Sequence, residues 1–393
     1  MSITCNLDII KNNTCEIINE EKLRSLLSLK RPLRVKIGFD PTSSFLHFGH
    51  LLLLNKLRCL QKLGFRIVII IGDFTAMIGD PSGKNKTRIQ LTKKQIFDNY
   101  KTYKDQIFKI LDNKMIDIYF NSNWFKFFIL EDFIKLSSVI TISRMLERND
   151  FKDRYFTNEP ISMQEFIYPL LQAYDSVYVK SDIELGGIDQ KFNFLLAREV
   201  QKKFFLKSQV IIMMPILTGI DGIQKMSKSM NNYINIIDCP YDIFCKVMSI
   251  PDSLMKEYFV LFDVLDLNLN DLENNPFKSK LYLAIKLVSM IYSENDALNS
   301  KSSFINQFSK RSIPGDIDSS IIYINNDKIR VLNLLKDSGL VKSFTEGRRM
   351  VKSKSVKSNG NVIEDFNFYF NCGFTYVLQI GRKKYMKINI KKK

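Results

Sequence analysis

Two hydrophobic periods alternate along the chain. Leu33–Phe39 (LRVKIGF) and Arg66–Ile71 (RIVIII) are short apolar runs rich in β-branched residues, the pattern of strands buried in a sheet. Between them Leu51, Leu54, Leu57 and Leu60 recur every three residues, with Lys56, Arg58 and Lys62 among or beyond them. That spacing predicts a helix over Leu51–Leu63, stopped by Gly64. The first strand ends in the turn cluster Asp-Pro-Thr-Ser-Ser at 40–44. Strand, turn, helix and strand make a βαβ unit, whose natural home is a parallel, doubly wound sheet with ligands at the carboxyl ends of its strands. A helix is expected through Glu20–Ser28, and helical stretches from Leu91 to about Glu199, with Ser162–Ser176 as one of them. Gln209–Met214 (QVIIMM) reads as a returning buried strand. A loop over Gly219–Asn232 follows, then helices from about Pro240 to Phe308, clearest at Leu281–Tyr292.

Length favours two or three domains over one, since the chain has 393 residues. Hydrophobic residues make up 45% and charged residues 25%, enough apolar side chain for a large core. The net charge of +17 points to a polyanionic partner, nucleic acid above all. It is unevenly spread: residues 331–393 hold 14 Lys and Arg against 4 Asp and Glu, a net of +10. A local footprint for nucleic acid explains that concentration better than a uniformly lysine-rich background. The six cysteines form no Cys-x-x-Cys pair, so neither a zinc site nor a disulfide framework is expected, and a reducing compartment fits. The N-terminus has neither signal-peptide nor transit-peptide character. The longest clean apolar strand run, Ile67–Ile71, is far short of the ~20 residues of a membrane span. A soluble, cytoplasmic protein is expected.

The chain's only two histidines, His47 and His50, both lie in His47-Phe48-Gly49-His50, at the junction of the first strand and its helix. Backbone N–H groups and the helix dipole favour phosphate there, Gly49 permits close approach, and two imidazoles can donate to phosphate oxygens as charge develops. Downstream, Lys225-Met226-Ser227-Lys228-Ser229 sets two lysines among small hydroxyl residues, as suits a mobile loop closing over phosphates. Gly79–Lys84 is a false lead: a P-loop needs four residues between its glycines and a hydroxyl residue after the lysine, and here there are three, then Asn85.

HFGH resembles the HIGH motif of class I aminoacyl-tRNA synthetases, and KMSKS matches that family's second motif letter for letter. The stretch Met163–Val177 is similar to the tyrosyl branch, and the resemblance spans essentially the whole chain. It implies a Rossmann-like catalytic domain over 1–220, the lysine loop and a helical domain over 221–330, and a small α+β S4-like RNA-binding domain over 331–393. On one helix face, Tyr168 and Gln172 would hold the α-ammonium group of tyrosine with Asp80, and Asp175 would accept its phenol hydroxyl. Gly186-Gly187-Ile188-Asp189-Gln190 looks like the family's Gly-Gly-x-Asp-Gln: Gly187 for close packing of the nucleotide, Asp189 for the ribose, Gln190 near the substrate carboxylate. Asp40, Thr42 and His47 resemble residues around the adenylate and outer phosphates, and Lys84 and Arg88 resemble a pyrophosphate clamp. Arg348, Arg349 and Lys352 lie at helical spacing suited to phosphate contact.

Two positions depart from the common pattern. Lys36 stands where many tyrosyl enzymes have Tyr, and Asp73 where Gly is common; a second branch of the family carries Lys and Asp there. Lys36 and Asp73 are therefore expected to pair and rebuild the floor of the tyrosine pocket. The resemblance further implies ATP with Mg²⁺, L-tyrosine, tRNA(Tyr) and a homodimer bridged by the tRNA. A tryptophanyl enzyme shares the fold, but Asp175 after Gln172-Ala173-Tyr174 and the S4-like tail favour tyrosine. A non-catalytic RNA-binding descendant is disfavoured by two intact motifs.

Overall fold

The computed structural model describes residues 3–81, 91–264, 275–308, 318–381 and 384–393. The chain divides into two compact units, Met1–Ser300 and Lys301–Lys393.

The first unit is built on a six-stranded sheet. Its strands are β1 (Glu16–Ile18), β2 (Arg34–Phe39), β3 (Arg66–Ile71), β4 (Ile116–Phe120), β5 (Ile183–Gly187) and β6 (Val210–Met214). The spatial order is β1-β6-β5-β2-β3-β4. All neighbours are parallel except β1, which pairs antiparallel with β6 at one edge. The chain winds outward from β2 to β4 on one side and from β5 to β6 on the other, so the order reverses between β2 and β5. That reversal opens a crevice at the carboxyl ends of the two strands, where ligands of such sheets bind. The inner strands β3 and β6, each next to an edge, are buried almost throughout, which explains their unbroken apolar sequences.

The helix expected at 51–63 runs over Phe48–Lys62, because His47 caps it. The helix Met163–Val179 opens with a Ser162–Glu165 capping box and ends at Lys180 in the left-handed region. Two strands interrupt the region expected to be largely helical. β4 is a half-buried edge whose Asp117 bonds Arg66, and β5 carries a glutamate and two glycines. Neither shows the apolar run by which a buried strand is recognised.

The second unit has its own core, with Val331, Leu334, Leu335, Val351, Leu378 and Ile388 among its most buried residues. Short helices Val331–Asp337 and Phe344–Lys352 pack together, with Gly347 against Leu332. The strands around them are β7 (Ser319–Ile324), β8 (Lys328–Arg330), β9 (Val356–Ser358), β10 (Asn361–Val362), β11 (Tyr369–Asn371), β12 (Thr375–Ile380) and β13 (Lys384–Lys392). β7 pairs parallel with β13, so the sheet of this unit begins before Val331, the edge expected from charge. Charge marks only the basic stretch, whereas the fold also needs a strand with no basic residue in it. Among the described residues no helix is long and apolar enough to cross a membrane.

Candidate active site

A cleft of about 820 Å³ lies at the crevice between β2 and β5. Lys36, Asp40, Thr42, His47, Gly49, His50, Asp80, Tyr168, Gln172, Asp175, Gly187, Asp189, Gln190, Lys225 and Lys228 all line it. Residues separated by up to 192 positions in sequence are thus brought to one site. Lys84 and Arg88 lie outside the described residues.

The histidine pair is fixed by its own helix. The Gly49 N–H donates to His47 Nδ1 at 3.1 Å, and the His47 N–H donates to His50 Nδ1 at 3.2 Å. With both Nδ1 atoms accepting, each neutral ring carries its proton on Nε2. The rings sit 4.0 Å apart between centroids. Burial, reinforced by the charges of Lys228 and Lys225, pulls His47 down to about 3. Burial and the neighbouring ring hold His50 well below 6.5. The pair therefore offers two neutral Nε2–H donors, and positive charge comes from the lysine loop.

That loop is anchored on both sides. Asn232 is buried and its amide donates to Asp221 at 2.8 Å while its carbonyl accepts from the Ser227 N–H at 2.9 Å. Met226 is buried beneath the loop. Leu46–Phe48 bonds to Ile234 and Ile236 through the backbone, so the histidine motif is tied to the segment that follows the lysine loop. Lys225 pairs with Asp189 at 2.8 Å. Lys228 bonds to Ser43 and Tyr103 and lies 4.9 Å over the Phe45 ring.

Polar side chains of the Met163–Val179 helix face the cleft. Tyr168 donates to Asp40 Oδ2 at 2.8 Å, and Thr75 donates to the other oxygen at 2.9 Å. Gly72 makes room for this, since a Cβ there would fall 2.0 Å from Asp40 Oδ1. A chain of amides continues the site. Arg148 donates to Asn193 Oδ1 at 3.0 Å, and Asn193 Nδ2 donates to Gln172 and to Gln190, both at 2.9 Å. Gln190 in turn donates to Asp80 at 2.8 Å. Asp175 accepts from the Trp124 indole at 3.0 Å. Its burial pushes the carboxyl up to about 7, against the attraction of Lys36 and the bonds from Trp124 and Asn121.

The expected Lys36–Asp73 pair is not formed. Lys36 is opposite Val68 in the register, and Asp73 lies five residues further along, roughly 16 Å of strand rise. Asp73 instead caps a short helix, accepting from the Ser122 N–H at 2.9 Å and hydroxyl at 2.6 Å. Lys36 pairs with Glu184 at 2.7 Å. Glu184, Asn193, Arg148 and Trp124 are site residues that the sequence alone does not single out. None of the four carries a local signal: even Glu184, which matches the lysine inside β2, lies in a strand without an apolar run. Arg348, Arg349 and Lys352 stand exposed on the Phe344–Lys352 helix of the second unit.

Similarity to known proteins agrees with this geometry. A family model described as tRNA synthetases class I (W and Y) matches residues 28–310. The chain is 45% identical over 396 residues to a tyrosine–tRNA ligase of Nitrosomonas europaea, covering 99% of this chain and 97% of the relative. It is 44% identical over 395 residues to that of Nitrosospira multiformis, covering 99% and 98%. The crystal structure of a tyrosyl-tRNA synthetase complexed with L-tyrosine from Archaeoglobus fulgidus superposes with a TM-score of 0.63 at 25% identity, covering 76% of this chain and all of the other.

Proposed function

The chain belongs to the class I tRNA synthetases of the tryptophan and tyrosine family, as a tyrosine–tRNA ligase, and from that premise we propose how its cleft divides the work. The reading is carried by one observation: the histidine pair, the lysine loop and the polar face of the Met163–Val179 helix converge on a single cleft at the reversal of strand order.

Tyrosine lies along that helix. Asp175 accepts the phenol hydroxyl, Tyr168, Gln172 and Asp80 take the ammonium group, and Gln190 faces the carboxylate. ATP lies across Gly187 and Asp189, with its ribose on Asp189 and its phosphates over Gly49 and the helix N-terminus. Asp40 and Thr42 flank the adenylate. A tyrosine carboxylate oxygen attacks the α-phosphorus; that P–O bond forms as the bond to pyrophosphate breaks. His47 and His50 donate Nε2–H to the oxygens gaining charge, and Lys225 and Lys228 supply the compensating positive charge, with Lys84 and Arg88 on the pyrophosphate. A ribose hydroxyl of the terminal adenosine of tRNA(Tyr) then attacks the acyl carbon and AMP leaves. No covalent enzyme intermediate is needed, and rate comes from positioning and charge.

Among the described residues no three His, Cys, Asp or Glu cluster as a metal cage. Asp40, Asp80 and Asp189 line the cleft singly, which fits Mg²⁺ arriving on the triphosphate with its own waters as part of the nucleotide substrate. The basic second unit would take tRNA through Arg348, Arg349 and Lys352. Phe127, Leu130 and Phe156 stand 74%, 73% and 71% exposed in the first unit, apolar surface of the kind a homodimer would cover.

ATP–pyrophosphate exchange with tyrosine, tryptophan and phenylalanine, with and without Mg²⁺, tests this. Exchange with tyrosine alone, and only with Mg²⁺, is expected. Exchange with tryptophan would overturn the role given to Asp175.

A further inference from the structure

Lys36 and Glu184 are buried to 1% and 2% exposure in the middle of adjacent parallel strands, and they are register partners. A buried ion pair is a poor way to hold a sheet that apolar residues would hold as well, because both charges lose their water. The contacts of this pair point toward the cleft. The Lys36 ammonium donates to Glu184 at 2.7 Å, to the Ser176 hydroxyl at 2.7 Å and to the Gln172 carbonyl at 3.1 Å. Gln172 and Ser176 are one helical turn apart and bracket Asp175. The second oxygen of Glu184 accepts from Ser176 at 3.1 Å and from the Gln209 amide. The pair therefore ties β2 and β5 to the one turn of helix that carries Asp175.

Asp175 is faced by Lys36 from β2, by Asp40 beyond the end of β2, and by Trp124 and Asn121 from the segment after β4. The neighbouring β3 side chains, Val68 and Ile70, are apolar. Lys36 is thus the one cation among these groups.

We propose that Lys36 and Glu184 form a specificity-determining couple for the amino-acid subsite: Lys36, oriented by Glu184, holds the Gln172–Ser176 turn and keeps Asp175 an anionic acceptor for a phenolic hydroxyl. The proposal rests on the reading of Asp175 given above, and both residues are positioning residues that act through it. Burial works against the anion, and the attraction of Lys36 works for it.

The two charges give opposite signs under mutation. Glu184→Gln removes the anion that offsets Lys36 and keeps the ammonium, so Asp175 should titrate at lower pH. Lys36→Met combined with Glu184→Gln removes both ions of the pair, leaves Asp175 without a facing cation, and should move the titration up by about half a pH unit or more. Trp124 is the only tryptophan in the chain and donates to Asp175, so its emission against pH reports this titration without substrate. Both histidines are held below their ordinary range and do not interfere. In ATP–pyrophosphate exchange at pH 7, the double variant should raise the tyrosine KM with a smaller change in kcat, and discrimination against phenylalanine should fall roughly tenfold.

A merely structural pair would lower the melting temperature and leave the titration in place, or move it the same way in both variants; either result overturns the proposal. If the double variant does not fold, Glu184→Gln decides alone, downward movement being expected and none refuting. If the wild type fails to exchange with tyrosine, the site reading falls, and the emission titration still decides whether the couple governs Asp175.

Discussion

Asn193 sets the polarity of the whole amide chain, and a single-atom change should reverse it. The Arg148 guanidinium can only donate, so the atom of Asn193 that meets it must be the oxygen. Asn193 Nδ2 then faces the carbonyl oxygens of Gln172 and Gln190, and the Gln190 amide nitrogen is turned toward Asp80. Asn193→Asp keeps the shape and strengthens the bond to Arg148, but it sets an oxygen 2.9 Å from two other oxygens. Gln172 can turn over, but Gln190 cannot without presenting its carbonyl to the Asp80 carboxylate, so the Gln190 carbonyl loses its donors Asn193 and Gln172 and faces the new oxygen. Two hydrogen bonds disappear and one repulsion is created. At about 1 kcal/mol each, this comes to ~3 kcal/mol, or roughly 100-fold in kcat/KM for tyrosine. ATP–pyrophosphate exchange measures it, with the melting temperature as a control expected to stay nearly constant. Asn193→Ala removes three hydrogen bonds but adds no opposing oxygen, and the space it leaves can take a water that bonds Arg148 and both glutamines, so it should lose less. Activity of Asn193→Asp within threefold of wild type, or a larger loss for Ala than for Asp, would refute the polarity argument.

Gly72→Ala should disturb the site without touching a ligand: its Cβ would meet Asp40 Oδ1 and Thr75 Oγ1 at 2.0 and 2.3 Å, an overpacking cost of about 1–3 kcal/mol that falls on the Asp40–Tyr168 bond. A tyrosine kcat/KM reduced at least several-fold is expected in exchange assays. Replacing Arg348, Arg349 and Lys352 by Ala should leave exchange intact and weaken tRNA binding. The salt slope should become shallower by about 0.7–0.9 for each phosphate that is no longer neutralised, read from binding titrations at several salt concentrations. Acid stability has a defined sign. Both histidines resist protonation in the fold, so below pH 6.5 the unfolded chain binds protons the folded one refuses, at about 1.4 kcal/mol per pH unit for each. Asp175, raised to about 7 from 3.8, binds a proton only in the fold between those values and offsets one of the two, so Asp175→Asn should steepen the loss between pH 6.5 and 4 in urea melts.

The βαβ opening, the two motifs and most cleft-lining residues are legible because each is written in contiguous sequence. Apolar runs mark β2, β3 and β6, and HFGH and KMSKS are local. β4 and β5 are not legible. An edge strand solvates one side, and a strand carrying Glu184 among glycines lacks the apolar run of a buried strand. The floor of the proposed amino-acid subsite is hidden for a related reason. Lys36 stands out in its strand, but a departure from the family pattern at Asp73 is no guide to its partner. The register supplies a different one: Glu184 is opposite Lys36 across β2 and β5, while Asp73 lies beyond the end of β3. Pairing across a sheet depends on strand order, and strand order here reverses between the two strands concerned.

That reversal also explains why so many groups at the site hold one another. β2 and β5 diverge at their carboxyl ends, which leaves backbone and side-chain polar groups around a cleft with no strand between them. Each must find a partner, and the partners come from distant segments: Tyr168 for Asp40, Asp80 for Gln190, Asp189 for Lys225. These bonds fix direction as well as position. Nδ1 of each histidine accepts, so Nε2 donates; Asn193 Oδ1 accepts, so both glutamine carbonyls are taken. A site built from such one-way bonds presents its donors and acceptors before substrate arrives, and little reorganisation is left for the reaction itself. Substitutions that preserve volume but reverse one bond should therefore reduce activity more than substitutions that remove the side chain, and the order of Asp and Ala at position 193 is the direct measure of it.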